Sequence, residues 1–230
     1  TANFFDVVSY TGNGTNNRAI SHSLGEEPGM IICKRISSNG NWGVYHRGRG
    51  NSLGLRLDSN GVAGSMSINN ETINSSSFGV STGGYALDNN NGDDYIAYLF
   101  GHNSSTVHCG TYTGDGSDTN REINVGFKPQ WLMVKNTTTA YNWIIIDSVR
   151  GEGQTPPTSN VLFANGTNAE DPAGDRLFFS DNGFTLSTSS FDYNKSGDTF
   201  VYVAIAETKN TDTLDLSTGS VFNYTPTASK

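Results

Sequence analysis

GEEPGMIICKRISSNGNWGVYHRGRG, residues 25–50, aligns without a gap to GFKPQWLMVKNTTTAYNWIIIDSVRG, residues 126–151. Gly126 stands 101 residues after Gly25. At that spacing Pro28 meets Pro129, Lys34 meets Lys135, Asn41-Trp42 meets Asn142-Trp143, and Arg49-Gly50 meets Arg150-Gly151. The chain of 230 residues holds only three Trp, so the paired Asn-Trp carries much of the weight. In each copy a Pro precedes a short apolar run, MIICK or WLMVK, as suits a strand start. NWGVYHR then alternates, with Trp42, Val44 and His46 on one side and Gly43, Tyr45 and Arg47 on the other. A period of two belongs to a β-strand.

The agreement extends in both directions. YTGNG at 10–14 returns as YTGDG at 112–116, FGVST at 78–82 faces FTLST at 184–188, and GDDYIAYLF at 92–100 faces GDTFVYVAI at 197–205. The later offsets are a few residues larger, which places the added residues in the Pro- and Gly-rich stretch 151–160. In GDTFVYVAIAE, residues 197–207, Phe200, Tyr202 and Ala204 alternate with Val201, Val203 and Ile205. Both sets are apolar, as in a strand covered on both faces. NG, DG, SNG and SDNG punctuate strand-like runs about every ten residues. No run of ten or more residues has a helical period with a start and a stop. The sequence therefore predicts an all-β chain of two tandem homologous β-sandwich, jelly-roll-like units of about 100 residues each. Residues 1–105 form the first, 106–208 the second, and 209–230 a C-terminal extended arm. A period this long is not that of a solenoid.

The composition narrows the function. The net charge is −8 and no basic stripe is present, so no nucleic-acid partner is expected. No apolar run approaches the roughly 20 residues that cross a bilayer, and no signal peptide is present, so no membrane insertion is expected. Hydrophobic residues make up 34%, but 12 Phe, 10 Tyr and 3 Trp supply a core that disordered chains lack. Cys33 and Cys109 have no metal-ligand neighbour at useful spacing. They read as buried free thiols, with a disulfide left open.

Several motifs invite a chemical reading. LDNNNGDD at 87–94 and DYNKSGD at 192–198 faintly suggest calcium loops. Such loops need oxygen ligands at fixed alternate positions and an acidic closing residue. The two copies differ in length and no Glu closes either, so ordinary Asn/Asp/Gly turns are the better reading. Gly79-Val80-Ser81-Thr82-Gly83 fits G-x-S-x-G, but no helix pattern follows, as a nucleophile elbow requires. His22, His46, His102 and His108 are scattered, and their counterparts Ile123, Asp147, Glu207 and Asp6 repeat no His pair. The triplets Asn13-Gly14-Thr15 and Asn74-Ser75-Ser76 are expected by chance in so polar a chain. Trp42 and Trp143 are candidate glycan-stacking residues, although their matched places in alternating strands favour a core role. A glycan-degrading enzyme would instead need a carboxyl pair roughly 5–10 Å apart in a groove. No catalytic residue, cofactor or metal is assigned.

FDVVSYTGNG, ISHSLGEEPGMIICKR, NWGVYHR and GDDYIAYLFGH, in that order, resemble a repeat of marine bacteriophage virion proteins. CGTYTGDG, GFKPQWLMVK and NWIIIDSVRG of the second copy resemble the same repeat, and the likeness spans residues 4–208. His22 to Pro28 also looks like segments of phage tail and fibre proteins, although the second copy has Ile123 in place of the His. TLDLSTGSVFNYTPTASK, residues 213–230, resembles the opening strands of a small β module of phage tail-fibre chains. The resemblance implies a non-enzymatic virion structural protein on the particle exterior, as a tail-fibre or spike component or a capsid decoration. The partners it implies are other virion subunits, as a homo-oligomer, and host surface glycans. The rivals are a free carbohydrate-binding module and, behind it, a glycan-degrading enzyme. In the arm, Val221 alternates with Phe222 and Tyr224, a strand that would add to the sheet of a neighbouring subunit.

Overall fold

The computed structural model describes residues 2–65, 73–103, 105–150, 160–172 and 176–207. The C-terminal arm, with Val221, Phe222 and Tyr224, lies outside the described residues.

The regular structure of the described residues is almost entirely strand. The first half supplies β1 (Phe5–Thr11), β2 (Arg18–Ser21), β3 (Met30–Arg35), β4 (Trp42–His46), β5 (Leu53–Arg56), β6 (Gly64–Ser65), β7 (Ser77–Val80) and β8 (Asp94–Phe100). The second supplies β9 (Val107–Thr113), β10 (Arg121–Asn124), β11 (Pro129–Asn136), β12 (Ile144–Asp147), β13 (Asn160–Phe163), β14 (Asp171–Pro172), β15 (Leu177–Ser180), β16 (Gly183–Leu186) and β17 (Thr199–Ala206). The helical elements named among the described residues are a 3-10 turn at Arg47–Arg49 and one α-helical turn, α1 (Phe191–Asn194).

The first large sheet runs β1-β8-β3-β4-β5-β6 and the second β9-β17-β11-β12-β13-β14. Strand for strand this is one order, all antiparallel. The register repeats as well: Met30 pairs with His46 and Trp131 with Asp147, each 101 residues on. A smaller sheet accompanies each, β2-β7 in the first half and β10-β16-β15 in the second.

The doubly apolar strands explain how these sheets stack. Ile31 and Cys33 point into a core with Ile20, Phe78 and Val80 of the small sheet. Leu132, Val134, Phe200 and Tyr202 do the same against Phe184, Leu186 and Leu177. The opposite faces meet each other. Met30, Ile32, Val44 and Leu55 pack against Val107, Cys109, Met133, Trp143, Val201 and Val203 in a third core between the two large sheets. The alternation read in GDTFVYVAIAE is thus observed residue by residue. The end of the first copy at residue 105 is no gap in packing, because the third core crosses it.

The repeated YTGxG phrase is a lock. Gly12 N donates to Asp93 O, Gly14 N to Asn89 O and Gly92 N to Gly12 O. In the second half Gly114 N donates to Asp198 O, Gly116 N to Asn194 O and Gly197 N to Gly114 O. The Tyr10 hydroxyl donates to Asp88 O at 2.7 Å, and that of Tyr112 to Tyr193 O at 2.6 Å. Arg18 and Arg121 close each lock by donating to the carbonyls of Thr11 and Thr113. The Asn/Asp/Gly stretches read as turns are the other half of this lock.

Candidate functional site

A polar pocket of about 350 Å³ opens at one end of the first large sheet. Arg35 ends β3, Arg56 ends β5, and the loop after β7 brings Tyr85 and Asp88 across them, with Asn39, Asn41 and Asn90 around the rim. The loop comes this close because β4 carries Gly43. A Cβ there would lie 1.8 Å from the carbonyl oxygen of Ala86.

Asp88 is saturated. Its Oδ2 accepts from Arg35 Nη2 at 2.7 Å, Asn90 Nδ2 at 3.0 Å and the Tyr95 hydroxyl at 3.1 Å. Its Oδ1 accepts from the Gly83 and Asn89 amides at 3.1 and 3.0 Å. A carboxylate held by so many donors is fixed in place and braces the loop against β3. Arg35 is also paired with Asp93 at 3.3 Å. Arg56 differs. Its guanidinium carbon lies 4.3 Å from the centroid of the Tyr85 ring. With its amide turned to satisfy both neighbours, Asn41 accepts from Arg56 Nη1 at 3.2 Å and donates to Asp58 Oδ2 at 3.0 Å. Among the described residues no carboxylate pairs with Arg56, and its Nε is buried without a partner.

The second half keeps the frame and replaces the residues of the pocket. Gly43 pairs with Arg56, and the matching pair is Ile144 and Phe163. Asn136 stands in place of Arg35, and the buried Tyr193 in place of Asp88. Lys34 and Lys135 retain one shared contact, to the carbonyls of Gly40 and Tyr141. Lys135 is fully buried and also donates to the carbonyls of Asn136 and Asn60. Burial pulls its pKa down to about 8.

Three of the four histidines come together at the junction of the halves. His46 is fully buried, its Nδ1 accepting from Gly48 N at 3.1 Å and its Nε2 3.0 Å from the Tyr202 carbonyl. That pattern is a neutral ring donating through Nε2. Burial lowers its pKa to about 4. The rings of His102 and His108 are 4.7 Å apart, and His108 Nδ1 lies 3.2 Å from the Tyr202 hydroxyl. Burial lowers His108 to about 4 and lowers His102 as well. Among the described residues no group of three or more His, Cys, Asp and Glu is placed to hold a metal ion. Counting His pairs within the repeat misses this cluster, since its members lie in different copies. The usable signal was His46, on the same alternating face as Trp42 and Val44. His22 stays apart, bonding locally to Asn74 O and Leu24 N.

The two candidate tryptophans part company. Trp143 is only 2% exposed and lies in the core between the sheets, where no sugar reaches its face. Trp42 is half-buried and packs at the edge of the same core. Its ring lies 6.5 Å from Tyr98 and that of Tyr98 lies 6.4 Å from Phe5, each pair 18° from parallel. The cause is an offset between the large sheets: the buried part of the third core takes no residue from β1 or β13. Val7 of β1 is left 47% exposed on this aromatic face. Cys33 and Cys109 are free and buried. Ser81 is fully buried and its Oγ accepts from Asn17 N, so G-x-S-x-G presents no nucleophile. Asn13 and Asn74 of the Asn-x-Ser/Thr triplets accept from backbone amides two residues on, as Asx turns.

Residues 1–209 match the family described as Domain of unknown function (DUF7483), and the chain belongs to that family. No curated protein and no solved structure gives a significant match.

Proposed function

We propose that this member of the family is a non-enzymatic structural protein of a bacteriophage particle's exterior, a tail-fibre or spike component or a capsid decoration. Its β surface binds other virion subunits, and it contacts host surface glycans. The observation that carries the reading is the half-covered aromatic face of the first large sheet, formed by Trp42, Tyr98, Phe5 and Val7. Apolar surface left open beside a well-packed core marks an interaction site. The resemblance of both copies to phage virion repeats supplies the setting. Three groups of the kind a hydrolase employs are engaged elsewhere: Asp88 by its donors, Ser81 by burial, His46 by the second half.

Light scattering on the full chain, with and without Trp42→Ala, tests the reading. An oligomer that Trp42→Ala or Tyr98→Ala dissociates supports subunit contact through this face. A monomer at high concentration that attaches to no particle would sink it. A free carbohydrate-binding module is the second reading, favoured by the near-parallel Trp42, Tyr98 and Phe5 rings, which offer an aromatic platform. A monomer that binds glycans and loses them with Trp42→Ala would favour that reading.

A further inference from the structure

We propose that the polar pocket of the first half binds a carboxylate-bearing sugar unit, with Arg56 receiving the carboxylate. The proposal rests on the glycan-binding part of the reading above for its ligand class, and it assigns that ligand to a site distinct from the Trp42 face.

The arginine carries the argument. Arg has five donors in a planar fork that matches a carboxylate, and it loses little freedom when already stacked. Arg56 lies over the Tyr85 ring, so its plane is fixed before any ligand arrives. Three of the other arginines are held by carboxylates: Arg35 by Asp88 and Asp93, Arg121 by Asp115, Arg150 by Asp147 and Glu170. Among the described residues the Arg56 side chain has a hydrogen-bond partner in the Asn41 amide alone, and it lines a pocket. In a chain of net charge −8, long-range attraction does not bring an anion here. Recognition must be short-range, through the fork itself.

The walls suit a sugar more than a bare ion. Asn39 offers an amide at the rim, and Asn90, Gly83 and Gly84, whose N–H groups already donate to Asp88 and Ser81, complete a polar wall around a volume at the small end of the roughly 300–1,000 Å³ of ligand pockets. The lining is polar, unlike the apolar pockets that take lipids or drug-like molecules.

The second half is an internal control for what the fold requires. It builds the same sheet in the same register with Ile144 for Gly43, Phe163 for Arg56 and Tyr193 for Asp88. Folding therefore does not demand an arginine at the end of β5, a glycine in β4 or an aspartate in the loop after β7. The first half keeps all three together.

Amide chemical-shift titrations of the full chain with D-glucuronic acid, D-glucose and acetate test this. Glucuronate is expected to move the Gly83, Gly84 and Asn41 signals, with glucose binding at least about tenfold more weakly, the scale of a charge-assisted hydrogen bond. Arg56→Gln should weaken glucuronate about tenfold or more with the melting temperature unchanged, and Trp42→Ala should leave it alone. Asn39→Asp, an exposed change that adds a negative charge at the rim, should also weaken glucuronate but not glucose, and it serves if Arg56→Gln misfolds. Acetate matching glucuronate would reduce the site to an anion trap and overturn the proposal. So would glucose matching glucuronate, or glucuronate binding that survives both pocket variants. A glycan response lost with Trp42→Ala and kept with Arg56→Gln would overturn the pocket while sparing the glycan-binding reading.

Discussion

The indole Nε1 of Trp143 donates a hydrogen bond to the carbonyl oxygen of Arg56, 2.8 Å away. A tryptophan of the second half thus grips the strand that carries the pocket arginine of the first. Ala63 N donates to Thr137 O at 3.2 Å and Lys135 Nζ to Asn60 O at 3.1 Å along the same seam. Trp42, the repeat counterpart, has no such partner among the described residues and stands at the edge of the third core.

Trp143→Ala and Trp42→Ala should therefore differ. Trp143→Ala leaves a cavity between the sheets and an unpaired Arg56 carbonyl, and should cost about 3–5 kcal/mol. Trp42→Ala should cost clearly less, because its ring is already partly solvated. Denaturant unfolding of both variants measures this, and equal losses would contradict the separation of the two residues.

Much of the fold was legible because its signals are local. Pro-led apolar runs, alternation and Gly/Asn turns all act within a few residues, and the gapless match of Gly25–Gly50 with Gly126–Gly151 projected them twice. The offset between the two large sheets was not legible. Val7, Val203 and Val107 have the same chemistry, yet only the last two are buried by the opposite sheet. The pocket was hidden for a related reason: Arg35, Arg56 and Tyr85 lie in three separate segments, and only sheet pairing brings them together. The same holds for His46, His102 and His108.

One unfolding transition is expected, not two. The third core is built from both halves, so neither large sheet keeps its inner face dry alone. Calorimetry should give a calorimetric enthalpy close to the van't Hoff value, as for a single cooperative unit. Two separated transitions would mean that residues 1–105 and 106–208 behave as independent domains.

The YTGxG locks make a graded prediction for glycine. A Cβ on Gly12 would lie 2.0 Å from the Asn90 carbonyl oxygen, and one on Gly114 2.1 Å from that of Lys195. Both contacts are with backbone, so Gly12→Ala or Gly114→Ala should cost at least about 1–3 kcal/mol through forced displacement. Gly92 and Gly197 have φ near +80°, but a Cβ on either would meet nothing within 4 Å. Alanine there should cost only the left-handed backbone penalty, about 1–2 kcal/mol. Melting curves of the four variants rank them, and a larger loss at Gly92 than at Gly12 would refute the close-approach account.

The histidines at the junction set the acid limit of stability. His46 and His108 titrate near 4 in the folded chain, against about 6.5 when unfolded. Between those values the unfolded chain binds more protons, so folding stability rises with pH and falls as the solution is acidified from about 6.5 toward 4. The slope from the fully buried His46 is at most about 1.4 kcal/mol per pH unit. Asp115, Asp147 and Asp198 are held below the usual carboxylate range, so their losses begin at lower pH. Asp192 is raised by burial and opposes them. Asp192 is common to the wild type and a His46 variant, so the difference between their curves from pH 6.5 to 5 reads the histidine. His46→Gln keeps an amide donor for the Tyr202 carbonyl but cannot take up a proton. It should flatten the stability curve across that interval, even if its stability at pH 8 is lower. Denaturant midpoints at several pH values check this, and an unchanged slope would show that His46 is not the proton-binding group.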